Sequence, residues 1–443
     1  MFYRNIIAEL REWVKRENRK PLILRGARQV GKTTLVDEFA KEFDVYLKLN
    51  LERKTNYDIF ENNMEVDELL TAIYLLNNQP RVAAKTLLFI DEIQNSPKAV
   101  AMLRYFYEDA PHIFVIAAGS LLESLIDRHI SFPVGRVEYM AVRPCSFNEF
   151  LGAIGESEQK EYHFQAKMPQ GLHTKIMGLF KTYTIIGGMP EVVDIYSKNK
   201  DIVALQNIYE MLLSGYRDDI EKYASGDVMR NALRHILAVG WEYAAQRISF
   251  ERFGNSSYRS REMGDAFRLL EKAMLLELVY PATSCTIPLF PEPKRSPKLL
   301  WLDMGIVNYF AGLQKELFGV NDISEAWKGK VAEHIVGQEL LAVNNCFSYK
   351  RHFWVRDASG SSAEVDYAIQ LENFIIPIEV KSGNNAKLRS LHQFMEKAPH
   401  DIAIRLWANP FSIDEVKTPT GKIFRLFNLP YYYAGQIEKI IKS

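Results

Sequence analysis

Only three cysteines occur in 443 residues, Cys145, Cys285 and Cys346, and no two of them stand at a metal-ligand or redox spacing. This excludes a disulfide-stapled secreted fold, a zinc module and a C-x-x-C redox centre, and predicts reduced, buried thiols. An excess of charge of one sign is also missing, since 55 Lys and Arg balance 55 Asp and Glu. No global field then draws the chain to nucleic acid or to an anionic membrane, so any such contact must be local. Apolar runs of membrane-spanning length are absent, and Met1–Val14 spreads charges through an amphipathic helical pattern instead of forming a leader's apolar core. The expected location is cytoplasmic, with no membrane partner. What remains is ordinary globular material, 47% hydrophobic and 25% charged, and its length predicts two to four domains.

The most specific motif is Gly26-Ala27-Arg28-Gln29-Val30-Gly31-Lys32-Thr33, which fits G-x-x-x-x-G-K-[ST] in full. The apolar run Pro21–Leu24 reads as a buried strand before it, and Thr34–Ala40 has helical spacing after it. A glycine-bent loop between strand and helix aims successive backbone N–H groups and the positive end of the helix dipole at phosphate oxygens. Residues Gly26 to Thr34 are therefore the candidate nucleotide cradle. Within it Lys32 would reach the β- and γ-phosphates, and Thr33 would ligate Mg²⁺.

Thr86–Ile90 is a second buried-strand run, and it ends in Asp91-Glu92. Two carboxylates at the carboxyl end of a strand stand where open α/β sheets bind ligands. Asp91 is the expected Mg²⁺ partner of Thr33, and Glu92 the residue that orients and deprotonates the attacking water. Ile113–Ala118 predicts a third strand, ending in Gly119-Ser120, and Ser120 resembles the sensor position of the AAA-like branch of P-loop ATPases. Further strands are expected at Val45–Leu49 and Val137–Val142, with helices at Val66–Leu76 and Lys98–Tyr107. Arg136, taken to lie beside the sheet's carboxyl edge, reads either as a finger on its own or a neighbouring subunit's nucleotide or as a solvated loop residue. The expected catalytic set is Glu92, Lys32, Ser120 and Arg136.

Domain boundaries are expected at residues 1–143 for the α/β core with a doubly wound parallel sheet, and at 144–199 for a helical lid or connector. In the latter, Gly187-Gly188-Met189-Pro190 breaks a helix and reads as a hinge facing the nucleotide or as a simple connector. Residues 200–315 give two helices, then Arg261–Leu275, then short strands at Leu276–Pro281 and Lys298–Leu302 around a proline-rich tip. This is a winged-helix pattern. Tyr258, Arg259, Arg261, Arg268, Lys294, Arg295 and Lys298 form a candidate phosphate footprint for DNA or RNA, against the alternative of an interdomain packing module.

Residues 316–443 carry a second constellation. Ala363–Leu371 and Phe374–Lys381 predict a hairpin turning at Glu372-Asn373, which sets Asp366 opposite Glu379. Alternation then places Glu364, Asp366, Glu379 and Lys381 on one charged face and Val365, Tyr367, Ile369, Ile376, Ile378 and Val380 on a core face. Facing carboxylates repel unless a cation or a lysine neutralises them, so the face reads as a metal site or as a solvated charged surface. Pro377 lacks a ladder donor and points to an edge strand or an outward N position. The Asp…Glu-x-Lys pattern, with Glu333 and Gln393 on flanking helical segments, resembles the PD-(D/E)XK nuclease superfamily.

Together, Gly26–Thr33, Leu87–Glu92, Gly119-Ser120, Gly187–Pro190, Trp301–Gly305 and Glu379–Lys381 resemble prokaryotic AAA-superfamily P-loop ATPases that carry a C-terminal domain of unknown function with a restriction-nuclease-like fold. The resemblance implies ATP and Mg²⁺ as cofactors and coupling of nucleotide turnover to nucleic-acid processing or binding. The alternative is a nucleotide switch whose C-terminal parts bind only a partner protein or another copy of the chain.

Overall fold

The computed structural model describes residues 2–62, 64–119, 133, 135–224, 226–319, 323, 329–357, 363–381 and 388–442. Apolar runs without alternation form the three central strands, buried on both faces as in a parallel sheet covered by helices, whereas the two edge strands are only partly buried. The strands are β1 (Leu22–Arg25), β2 (Val45–Asn50), β3 (Thr86–Asp91), β4 (Phe114–Gly119) and β5 (Glu138–Ala141). They assemble in the order β2-β3-β4-β1-β5, every neighbour parallel. Arg25 stands beside Gly119 and Asn50 beside Asp91, so the Gly26 loop and the Asp91-Glu92 pair leave the sheet at one edge. Ser120 lies outside the described residues.

The register corrects the placement of Arg136. Leu22, the first residue of β1, pairs with Glu138, so Arg136 precedes β5 at the sheet's amino edge, away from the Gly26 loop. There its Nε donates to Glu108 Oε1 at 2.8 Å, at the end of the Pro97–Asp109 helix that returns to that same edge.

Four helices follow, Phe147–Ala153, Ser157–Phe164, His173–Ile186 and Pro190–Asn199. The first begins with a capping box in which Ser146 and Glu149 satisfy each other's backbone amides. The Gly187-Gly188 break is a packed junction. Cys145 N donates to Gly188 O at 2.6 Å, and Gly188 N donates to Asp303 Oδ2 at 2.6 Å. A Cβ on Gly188 would stand 2.2 Å from Cys145 O, and one on Gly305 would stand 2.0 Å from Ile186 O. Three chain segments thus meet backbone to backbone, which only glycine permits. Asp303 is fully buried, and burial pushes its carboxyl up to about 6 against the pull of the amides that donate to it.

Helices Asp227–Val239 and Ser260–Lys272 pack together beside a three-stranded antiparallel sheet of order β6-β9-β7, made of β6 (Gln246–Arg247), β7 (Leu276–Val279) and β9 (Lys298–Trp301). The proline-rich segment between β7 and β9 is docked. Its two-residue strand β8 (Pro281–Ala282) pairs with β10 (His352–Val355), Trp354 Nε1 donates to Thr283 O at 3.0 Å, and Arg295 pairs with Asp357 at 2.8 Å.

The C-terminal part follows the Lys330–Ala342 helix with antiparallel β10, β11 (Glu364–Leu371) and β12 (Phe374–Val380), then the Arg389–Lys397 helix and parallel β13 (Ile402–Trp407). A hairpin of β14 (Ser412–Lys417) and β15 (Ile423–Pro430) completes the order β14-β15-β13-β12-β11-β10-β8. The expected turn register holds, with Leu371 opposite Phe374 and Tyr367 opposite Ile378. Pro377 lies in a central strand, not at an edge, and of its two expected placements the outward N position holds: the ladder to β13 begins only at Ile378, so the missing donor falls outside it. The expected core face fails at Val365, because β11 gains one residue against β10, between the pairs His352–Ala368 and Trp354–Val365. That bulge turns Val365 to the face of Trp354 and Leu391, away from Tyr367, Ile376 and Ile378. Both faces are therefore packed, and the charge is confined to one end of the hairpin.

Cys145 and Cys285 are buried as expected, whereas Cys346 is exposed, its Sγ 3.2 Å from Ser348 Oγ. Gly188→Ala is expected to destabilise the protein by about 3 kcal/mol, because its Cβ enters backbone that cannot yield. Urea denaturation checks this, and an unchanged midpoint refutes the junction.

Candidate nucleotide and metal site

The cradle is shaped by two glycines with different duties. A Cβ on Gly26 would stand 2.5 Å from Val142 O, so the loop presses against the chain leaving β5. Gly31 has φ of 86°, the left-handed conformation that starts the Lys32–Phe39 helix. Inside the loop Lys32 is buried, its Nζ donating to Gly26 O at 2.9 Å and Ala27 O at 2.8 Å. Burial pulls its pKa down to about 8, against the opposing charges of Glu92 and Asp91.

Thr33 Oγ1 donates to Asp91 Oδ2 at 2.7 Å, which joins the loop to the end of β3. Asp91 is buried, and burial raises its carboxyl above the ordinary range. Glu92 follows with φ of 53°, a conformation uncommon for a non-glycine residue, and accepts a hydrogen bond from the Gln94 amide. The surrounding cleft has a volume of about 790 Å³, and Gln29, Thr34 and Glu92 line it with Lys32 and Thr33. This volume falls in the range of small-ligand sites.

Arg4 and Asp219, which the sequence did not single out, complete the cleft. Arg4 is buried; it donates to Val30 O at 3.3 Å and Arg143 O at 2.7 Å, and its Nε pairs with Glu149 at 3.0 Å. Arg28 of the loop is ion-paired with Asp219 of the Gln206–Tyr223 helix, 191 residues later. Pro190 Cγ lies 3.5 Å from where a Gly31 Cβ would stand. The Gly187–Pro190 turn therefore reaches the cradle through its proline, while its glycines serve packing.

The second constellation is partly assembled. Carboxylate oxygens of Glu333, Glu364 and Asp366 all lie within 4.8 Å of one another. Asp366 Oδ2 accepts from Val380 N at 2.7 Å, and Glu379, 3% exposed, sits 3.2 Å from Lys381 Nζ. Burial and the nearby Asp366 charge raise the Glu379 carboxyl, and burial also raises that of Glu333. Gln393 Oε1 accepts from Arg356 at 3.3 Å, on the helix that packs with Val365 and Ala368. Lys298, expected in a phosphate footprint, is 2% exposed and bonds Glu333 at 2.6 Å and Glu364 at 2.7 Å.

Three parts of the chain match known families. Residues 18–151 match one described as an AAA domain, and residues 177–317 and 328–428 match two domains of unknown function (DUF8612 and DUF4143). No curated protein matches the chain. Among solved structures, a Walker-type ATPase of Pyrococcus abyssi is similar at 13% identity over 70% of this chain and 96% of that one, with a TM-score of 0.45. The RuvB Holliday junction branch migration motor of Thermotoga maritima is similar at 13% identity over 63% and 90%, with a TM-score of 0.29. The ORC1 protein of Aeropyrum pernix in complex with DNA is similar at 12% identity over 70% and 93%, with a TM-score of 0.28. Residues 18–151, with their parallel sheet and phosphate-binding loop, form a P-loop ATPase-like domain of the AAA kind.

Proposed function

We propose that this chain binds ATP with Mg²⁺, hydrolyses it, and couples the nucleotide cycle to C-terminal parts that engage nucleic acid in the cytoplasm. The observation that carries the reading is the 2.7 Å contact between Thr33 and Asp91 beside the buried Lys32. A hydroxyl and a carboxylate meeting at a helix N-terminus form an oxygen donor set suited to Mg²⁺, which keeps its remaining positions for phosphate and water. Thr33 and Asp91 would hold the ion, which supplies charge neutralisation on the phosphates. Lys32 exchanges the carbonyls of Gly26 and Ala27 for β- and γ-phosphate oxygens. Glu92, released from Gln94, orients a water and takes its proton. Phe2, Ile7 and Pro190 give the cleft an apolar wall for the base.

Coupling has a physical basis in Asp219 and Pro190, which reach the loop from helices beyond the sheet. Exposed Arg259, Arg261, Arg268 and Lys294 support a winged-helix contact with nucleic-acid phosphates. The helix-sheet-helix order around β10–β12, with Glu333, Asp366, Glu379 and Lys381 at one end, supports a nuclease-like fold. One observation favours a second reading, a nucleotide switch that binds a partner protein or another copy without cutting: the acidic group already contains the ammonium of Lys298. Among the described residues no helix is long and apolar enough to cross a membrane.

Glu92→Gln is expected to bind ATP within about twofold of the parent and to lose about 10²-fold or more in turnover. Full turnover in single-cycle assays removes Glu92 from the base role. Lys32 gives a pH signature. Its pKa of about 8 in the free protein rises when phosphate replaces the carbonyls, so binding takes up a proton above that pH. ATP affinity is then full below pH 8 and weakens by up to about tenfold per pH unit above it. Calorimetry across that interval tests this, and a flat profile contradicts it. DNA or RNA that accelerates ATP turnover supports the nucleic-acid reading, and indifference to both supports the switch.

A further inference from the structure

Glu333 comes from the Lys330–Ala342 helix, Glu364 and Asp366 from β11 and Glu379 from β12, yet the cation among them comes from another sheet. Lys298 opens β9, and its side chain, 3% exposed, ends 2.6 Å from Glu333 Oε1 and 2.7 Å from Glu364 Oε1. The ring of Phe353 lies 4.6 Å below the ammonium and closes the apolar side. Arg247, paired with Lys298 in the β6–β9 ladder, sends a guanidinium nitrogen to 3.6 Å from the other oxygen of Glu364. The edge of the middle sheet thus inserts positive charge into a cluster that its own domain leaves acidic.

A second, independent feature shows that the cluster is not saturated by these cations. Glu379 is 3% exposed, and its Oε2 has no hydrogen-bond partner among the described residues. A buried carboxylate oxygen without a donor is costly and calls for a cation or a proton. Its other oxygen faces Lys381, whose side chain is 40% exposed and reaches toward solvent. Glu379 and Asp366 therefore face each other at the hairpin's end, one bound to a backbone amide and the other half-satisfied.

We propose that Lys298 is a built-in counter-cation that keeps this carboxylate cluster closed, and that withdrawing it opens a site for one divalent metal ion bound by Glu333, Asp366 and Glu379. The lysine and the metal compete for Glu333, and the ammonium's charge opposes a second cation at the adjoining Asp366 and Glu379. An ammonium satisfies two carboxylates from a hydrogen-bond distance, whereas a divalent ion draws three or more oxygens closer and recruits Glu379. The inference deepens the nuclease-like reading of the C-terminal part and does not depend on ATP hydrolysis. It gives the contact between the middle and C-terminal sheets a role: their docking determines whether the cluster is open.

Mn²⁺ is the probe, used on the nucleotide-free full chain carrying Asp91→Asn, so that the ATPase site adds no metal. Calorimetry and Mn²⁺ electron paramagnetic resonance should find one site in Lys298→Met at least tenfold tighter than in the Lys298 parent. Adding Asp366→Asn should abolish the gain. Equal Mn²⁺ binding with and without Lys298, or a gain that survives Asp366→Asn, overturns the proposal. Should Lys298→Met fail to fold, Glu364→Gln removes one of the lysine's two partners and keeps the other three carboxylates. It should tighten Mn²⁺ several-fold, and no tightening overturns the proposal as well. ATP binding by the unsubstituted protein tests the nucleotide reading separately.

Discussion

The bond between the Thr33 hydroxyl and the Asp91 carboxylate spans 58 residues of sequence and depends on the sheet order. β4 separates β1 from β3, yet all three end at one level because their parallel registers are aligned. A one-residue slip in either ladder would carry Asp91 away from the loop and reverse which face each side chain takes. The core therefore does more than exclude water. Leu88 and Ile90 on one face and Leu87 and Phe89 on the other lock β3 between two apolar clusters, and that locking aims a buried carboxylate at a helix N-terminus.

The loop is not left to its own domain. Arg4 from the segment before the first helix ties Val30 to Glu149, Asp219 holds Arg28, and Pro190 packs against Gly31. These contacts come from four different stretches of chain. One contiguous apolar cluster runs from Ile6 through the helical and middle parts to Ile440, so the units are joined by core packing as well as by polar bonds. Any change at the loop on nucleotide binding thus meets groups anchored well outside the ATPase sheet.

How much of this was legible in the sequence follows from the range of the forces involved. Strands and helices of the ATPase domain were readable because unbroken apolar runs and helical spacing are local signals; the expected Val66–Leu76 helix agrees with the structure residue for residue. Lys32, Thr33 and Asp91 were readable because short motifs fix them just after β1 and at the end of β3, on one edge of the sheet. Arg136 precedes β5 and so lies at its amino end, on the edge away from the loop, which the β1–β5 register and not the local sequence makes plain. Asp219 and Arg4 carried no signal, since an ion pair across 191 residues has no sequence period. In the hairpin, alternation predicted the turn register but not the bulge, so Val365 was assigned to the wrong face. Lys298 was read as surface charge because its partners lie on elements 35 and 66 residues away, brought together only by docking of the two sheets.

The seven-stranded sheet ends in two different ways. At one end β8 contributes two residues, the first of them Pro281, which has no N–H to offer. At the other, β14 exposes Asp414, Glu415 and Lys417 along its length. The charges on β14 oppose pairing with a strand from another molecule, with Ile413 exposed among them. A second chain adding to either end of the large sheet would therefore meet a proline at one and repelling charges at the other.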